Sequence, residues 1–217
     1  MKVLDVFCGR WGWSKGFASE GFEVVGIDIE EHVPPLFSFI KADIRTLNPL
    51  DYQNFDVIIG SPPCVEFSVA KRIYTEDYKP QCKAKPFEGL KLVYAYLNFV
   101  DVAKPKIWAM ENVLNMINWY KIQPKLIFKI SKRGFRGLWG NFKPFMMPDF
   151  SSKRRLSYEL HPNLKIRASI HAEIPFYISK VIAQEFKSQL EECVATDFKS
   201  ISRLKKMLRQ QIRRFKE

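Results

Sequence analysis

Short, dense apolar runs separated by polar or glycine-bearing turns organise the first half of the chain. Residues 2–7 form the first run, followed by a turn containing Gly9 and Gly12 and a short helical stretch, Ser14-Lys15-Gly16-Phe17-Ala18. Residues 22–27 form the second run and end at Asp28, and residues 37–40 lead into Ala42-Asp43-Ile44, the third. Residues 55–60 form the fourth and run out into Ser61-Pro62-Pro63-Cys64. Strands this closely spaced, with helices between them, predict an α/β fold on a doubly wound, mostly parallel sheet.

Residues 65–89 break the pattern. Charged and aromatic residues mix there without a period, as in a long functional loop. Helical spacing returns over 90–102, where Leu92, Val93, Tyr96, Leu97 and Val100 share a face, and Pro105 ends it. Ile107-Trp108-Ala109-Met110 makes a fifth strand that ends in Glu111-Asn112. Beyond Pro124 the pattern predicts a helix near 123–132, strands around 136–142 and 154–159, and a helix over 175–190. Residues 199–217 read as a basic amphipathic helix, with Ile201, Leu204, Leu208 and Ile212 as the apolar stripe.

Composition narrows the class. At 217 residues the chain suffices for one α/β domain with a sizeable core and is short for two. No apolar run approaches the ~18–20 residues of a membrane span, and the first residues enter a strand directly, so the expected compartment is the cytoplasm. Cys8, Cys64, Cys82 and Cys193 are scattered without C-x-x-C spacing, which argues against a zinc site and a disulfide framework. A formal net charge of +12 makes a polyanion the natural partner, with nucleic acid favoured over a membrane.

Candidate chemistry sits at the ends of the predicted strands. Pro62 and Pro63 fix the backbone leading to Cys64, so the thiol is placed before any substrate arrives, at a strand end where open α/β sheets present their chemistry. The glycines of Phe7-Cys8-Gly9-Arg10-Trp11-Gly12 let backbone approach a ligand. Asp28, ~20 residues on, is placed to accept from two ribose hydroxyls. Asp43 is placed to accept from an adenine amino group, and together these suggest an adenosyl cofactor across the strand ends.

Five blocks in one order carry a resemblance. They are Asp5-Val6-Phe7-Cys8-Gly9 with Gly12 and Gly16-Phe17, then Gly26-Ile27-Asp28-Ile29, Ala42-Asp43-Ile44, Gly60-Ser61-Pro62-Pro63-Cys64 with Phe67-Ser68, and Glu111-Asn112-Val113. With them the chain resembles the cytosine-C5 methyltransferases that use S-adenosylmethionine, densely over residues 3–68 and 107–114. The resemblance implies a Rossmann-like class I methyltransferase domain over 1–195, followed by the basic tail 196–217. It implies that Phe7, Gly9, Trp11, Gly12, Asp28, Ile29, Asp43, Ile44 and Pro62 hold S-adenosylmethionine. Cys64 becomes the nucleophile that adds at cytosine C6, aided by a cationic neighbourhood, and Glu111 holds or donates a proton at N3, a role suited to a buried carboxyl.

In that family a later Gln-x-Arg-x-Arg block anchors the loop and the base's O2. The spacing puts Ser151 on the glutamine and Lys153 and Arg155 on the two arginines, with Arg155 the expected catalytic contact. His171-Ala172-Glu173-Ile174-Pro175 stands where the family has Gly-Asn-Ala-Val-Pro. Two departures matter. Trp11 occupies a position that is usually glycine, where it either alters packing or lines the pocket. Fewer than twenty residues separate Arg155 from Ile174, where the family carries a target-recognition domain. Base readout needs an element in a groove, so low specificity, the 71–89 loop, the basic tail or a separate specificity subunit must account for it.

Ser68, Lys71, Arg72, Lys153, Arg154, Arg209 and Arg213 are the expected nucleic-acid contacts, and Trp11, Trp13, Phe67, Tyr74 and Tyr78 are candidates to stack on an unpaired base or to join the core. The expected partner is DNA. The same chemistry on RNA and a non-catalytic nucleic-acid-binding relative are the rival readings.

Overall fold

The structure, a computed structural model, describes residues 1–67, 85–130, 134–150, 173–192 and 205–210. Its strands are β1 (Lys2–Val6), β2 (Glu23–Asp28), β3 (Ser38–Lys41), β4 (Val57–Gly60), β5 (Ile107–Val113), β6 (Leu126–Lys129) and β7 (Phe135–Gly140). The principal helices are α1 (Gly12–Ser19), α2 (Pro86–Ala103), α3 (Ile117–Tyr120) and α4 (Phe176–Glu191). The strands form one sheet in the order β3-β2-β1-β4-β5-β7-β6. Pairings from β3 through β5 are parallel, and β7 runs antiparallel to both β5 and β6. Strand order reverses between β1 and β4, so the turns leaving these two strands open on one crevice.

Alternation along the strands divides the core into two layers. Leu4, Val6, Ile58, Trp108 and Met110 face α2, while Val3, Val57, Ile59 and Ala109 face α1 and α4. All seven residues of β5 are buried, as a central strand covered on both faces must be. Two close approaches set the helix positions. Gly16 admits α4 so tightly that a Cβ there would lie 2.5 Å from Lys180 N, and Ser179 Oγ donates to Trp13 O at 2.6 Å. On the other face, the Tyr96 hydroxyl of α2 reaches Ile58 O at 2.9 Å and Ala109 O at 2.6 Å, locking the helix to β4 and β5.

The strands expected at 2–7, 22–27, 55–60, 107–110 and 136–142, the helix over 90–102 and the helix over 175–190 are present with shifted ends. Two expectations change. Residues 123–132 contain strand β6 instead of a helix: Leu126 and Phe128 are buried while Ile127 and Lys129 are exposed, a two-residue period imposed by pairing with β7. Ala42-Asp43-Ile44 lies beyond β3, with Asp43 capping a 3-10 turn through its side chain. The strand expected at 154–159 lies outside the described residues. Within the basic tail, residues 205–210 are helical and pack on α2, with Leu208 in the core and Lys205 Nζ 2.5 Å from Asp101 Oδ2. Among the described residues no helix is long and apolar enough to cross a membrane.

Candidate active site

The turn from β1 to α1 is built from left-handed backbone. Phe7, Gly9 and Trp11 have φ of 61°, 49° and 67°, and left-handed geometry costs about 1 kcal/mol at a residue with a side chain. Hydrogen bonds hold it. Trp11 N–H donates to Cys8 O at 2.8 Å and Gly9 N–H donates to Asp28 Oδ2 at 3.0 Å. Below the turn Asp5 accepts from the hydroxyl and N–H of Ser14, at 2.6 and 3.2 Å, stapling β1 to α1. Gly12 lies against the backbone of Ile174, and Glu173 Oε1 sits 2.7 Å from Lys15 Nζ, so the segment entering α4 closes directly on this turn.

Asp28 and Ile29 stand beside the turn at the end of β2. The Asp28 carboxylate is nearly buried, oriented by Gly9 N–H and by Glu30 N–H at 3.2 Å, with lone pairs left for further donors. Ile29 is 58% exposed, an apolar surface beside a polar acceptor. Asp43 is engaged: its carboxylate takes the N–H and guanidinium of Arg45, which holds its carboxyl below the usual range. Ile44 is buried in the α2-side layer.

Trp11 does not line an open pocket. Its indole is 1% exposed and packs edge-on against Phe37 and Phe39, in the space where a Cβ on Gly26 would stand. Trp13 and Phe67 are likewise buried, so all three belong to the core and are unavailable to stack on a base. Cys8 is buried beside Asp5 and Asp28, and burial pushes its thiol far above the reactive range.

Across the crevice, Cys64 ends the turn from β4. Pro62 O accepts from Asn112 Nδ2 at 2.9 Å, and Ser61 Oγ accepts from Trp13 Nε1 at 2.9 Å, so the prolines are held at both ends. Cys64 is half-buried, and burial raises its thiol pKa; the Arg136 cation opposes that rise and Glu111 adds to it.

Glu111 comes from β5 and pairs with Arg136 Nε of β7 at 2.9 Å, both side chains nearly buried. The antiparallel register that sets Val113 opposite Arg136 and Glu111 opposite Leu138 brings the guanidinium to the carboxylate. Among the described residues Arg136 thus supplies a cation to Cys64 and Glu111, and the sequence reading missed it. Its one signal was a lone arginine in the apolar run of β7.

Arg155, Lys153, Arg154, Ser68, Lys71, Arg72 and Arg213 lie outside the described residues, as do Tyr74 and Tyr78. Arg209 lies on the α2 face, its Nε donating to Tyr94 Oη at 2.6 Å and its guanidinium 5.2 Å from that ring.

Known proteins are similar to this chain over part of their length. The chain is 31% identical over 140 residues to the type II methyltransferase M.AquIA of Picosynechococcus, covering 55% of this chain and 51% of that one. It is 26% identical over 209 residues to the type II methyltransferase M.DdeI of Desulfomicrobium norvegicum, covering 90% and 48%. A solved structure of the Entamoeba histolytica methyltransferase EhMeth aligns with a TM-score of 0.47 at 16% identity, covering 71% of this chain and 57% of that one. The chain thus spans about half the length of these curated relatives. Residues 1–137, which hold the glycine turn, Asp28, the Pro-Pro-Cys turn, Glu111 and Arg136, match C-5 cytosine-specific DNA methylase, and the chain belongs to that family.

Proposed function

We propose that this chain transfers a methyl group from S-adenosylmethionine to C5 of cytosine in DNA, with Cys64 as the covalent nucleophile. One observation carries the reading. Cys64 ends the proline-stiffened turn that leaves β4, beside the β1 strand that leads into the left-handed glycine turn, and lies within the field of the Glu111–Arg136 pair.

The residues at the turn fit the cofactor. Left-handed backbone at Phe7 and Gly9 offers a close approach, Asp28 has lone pairs for ribose hydroxyls, and Ile29 offers an apolar face to a purine. Asp43 can serve an adenine amino group only by sharing its carboxylate with Arg45. When bound, S-adenosylmethionine supplies the electrophilic methyl that C5 takes up.

Cys64 Sγ adds to C6, and the electrons of the C5–C6 double bond make C5 nucleophilic. The proton the thiol gives up is taken up at N3, where the Glu111 carboxylate holds it, and this draws charge into the ring and favours attack at C6. Arg136 steadies the Glu111 carboxylate and offers its remaining N–H groups to the base. Loss of the C5 proton to water, departure of Sγ and return of the N3 proton to the sulfur restore the ring and the thiol. Burial raises the pKa of the free Cys64 thiol, and the Arg136 charge opposes that rise. Sequence readout we assign to a separate specificity subunit; methylation confined to defined sites by this chain alone would overturn that assignment.

The test is transfer of labelled methyl groups to duplex DNA, single-stranded DNA and RNA, beside Cys64→Ala. Label at C5 in DNA that vanishes in the variant supports the proposal. Label confined to RNA replaces the substrate, and unchanged transfer by Cys64→Ala removes the nucleophile.

A further inference from the structure

Ser61 grips both ends of the glycine turn. Its N–H donates to the O of Val6, the last residue before the turn, at 3.2 Å. Its hydroxyl accepts from the indole N–H of Trp13, the second residue of α1, at 2.9 Å. Trp13 has little freedom of its own: the ring is 3% exposed, packs edge-on against Phe128, and its carbonyl accepts from Ser179 Oγ of α4. Ser61 also leads directly into Pro62 and Pro63, whose fixed φ transmits a displacement to Cys64 with little slack. Beyond them, Asn112 ties Pro62 O to the strand that carries Glu111.

From this continuity we infer that Trp13 is a positioning residue: its hydrogen bond to Ser61 couples occupancy of the glycine turn to the placement of Cys64. The inference rests on the reading of Cys64 as nucleophile. A ligand that settles the turn fixes the span between Val6 and Trp13, and Ser61 spans those same two residues. The chain of contacts is short enough to act as one rigid unit, from α1 through Ser61 and the prolines to the thiol.

Trp13→Phe keeps the packed ring and removes the N–H, and Ser61→Ala removes the acceptor. Each variant is expected to lower kcat about fivefold, the worth of one hydrogen bond, with the cofactor KM little changed. Because both delete the same bond, the double variant should fall no further than either single one. A second readout needs no methyl transfer. Peptide-resolved alkylation of Cys64 by iodoacetamide, with and without S-adenosylhomocysteine, should change severalfold in the wild type and hardly at all in both variants. Variants that keep the wild-type alkylation response, or kcat losses that multiply in the double variant, overturn the coupling, as does a wild type that shows no response. A wild type that methylates nothing, yet whose Cys64 responds to S-adenosylhomocysteine in a Trp13-dependent way, overturns the methyltransferase reading and leaves the coupling standing.

Discussion

Asp5 makes the stability of this fold depend on pH in a direction opposite to most acidic residues. The carboxyl is 1% exposed, accepts from Ser14 through Oδ2, and leaves Oδ1 buried with no hydrogen-bond partner among the described residues. Burial, reinforced by the nearby Asp28 charge, pushes its pKa up from 3.8 to about 7 against the opposing pull of Ser14. In the unfolded chain the group ionises near pH 4, whereas in the folded chain it keeps its proton until near pH 7. The folded state is therefore favoured most below the unfolded value, and that advantage is lost as pH rises from about 4 to about 7.

A shift of roughly 3 units corresponds to about 4 kcal/mol across the window, of which about 2–3 kcal/mol falls between pH 5 and pH 8. Asp5→Asn keeps an acceptor for Ser14 and removes the titration. Urea unfolding of both proteins at pH 5, 6, 7 and 8 isolates the effect, because every other titrating group cancels in the difference. The variant should gain on the wild type steadily up to pH 7 and hold its lead above it. A difference that stays flat across this range would refute the burial argument.

Three further outcomes follow from the site. Arg136→Ala should lose about 3–5 kcal/mol of stability by leaving Glu111 charged and nearly buried, and should suppress methyl transfer, with partial recovery of both in Arg136→Lys; unfolding midpoints and initial rates read the two effects, and a stable, active alanine variant would remove Arg136 from the site. Asp28→Ala should weaken S-adenosylmethionine binding roughly tenfold or more by calorimetry while leaving DNA affinity unchanged, and an unchanged cofactor Kd would move the ribose elsewhere. Trp11→Gly relieves left-handed strain of about 1 kcal/mol but empties the indole's space over Gly26, for a net loss of about 2–4 kcal/mol in thermal or urea unfolding; a neutral or stabilising result would contradict the packing described for it.

Much of the site was legible because its rules are local. An apolar run ending in Pro-Pro-Cys identifies a strand end and a stiff turn without knowledge of any neighbour, and Asp28 and Glu111 close runs of the same kind. The weaker regions failed for a stated reason. Leu126-Ile127-Phe128 is too short to separate a helix from a strand, and pairing with β7 chose the strand. Trp11 was ambiguous because a residue in a turn can point to either side of the sheet, and the gap above Gly26 decided which.

The sequence by itself determined the parallel half of the sheet and the two turns that leave β1 and β4, the second of them ending at the Cys64 thiol, since backbone restriction and period-two burial are carried by neighbouring residues. Only the tertiary structure decided what surrounds that thiol. Arg136 meets Glu111 through the register of β5 and β7, and Trp13 meets Ser61 across 48 residues of chain, because a folded sheet brings together side chains whose spacing along the sequence carries no sign of the contact.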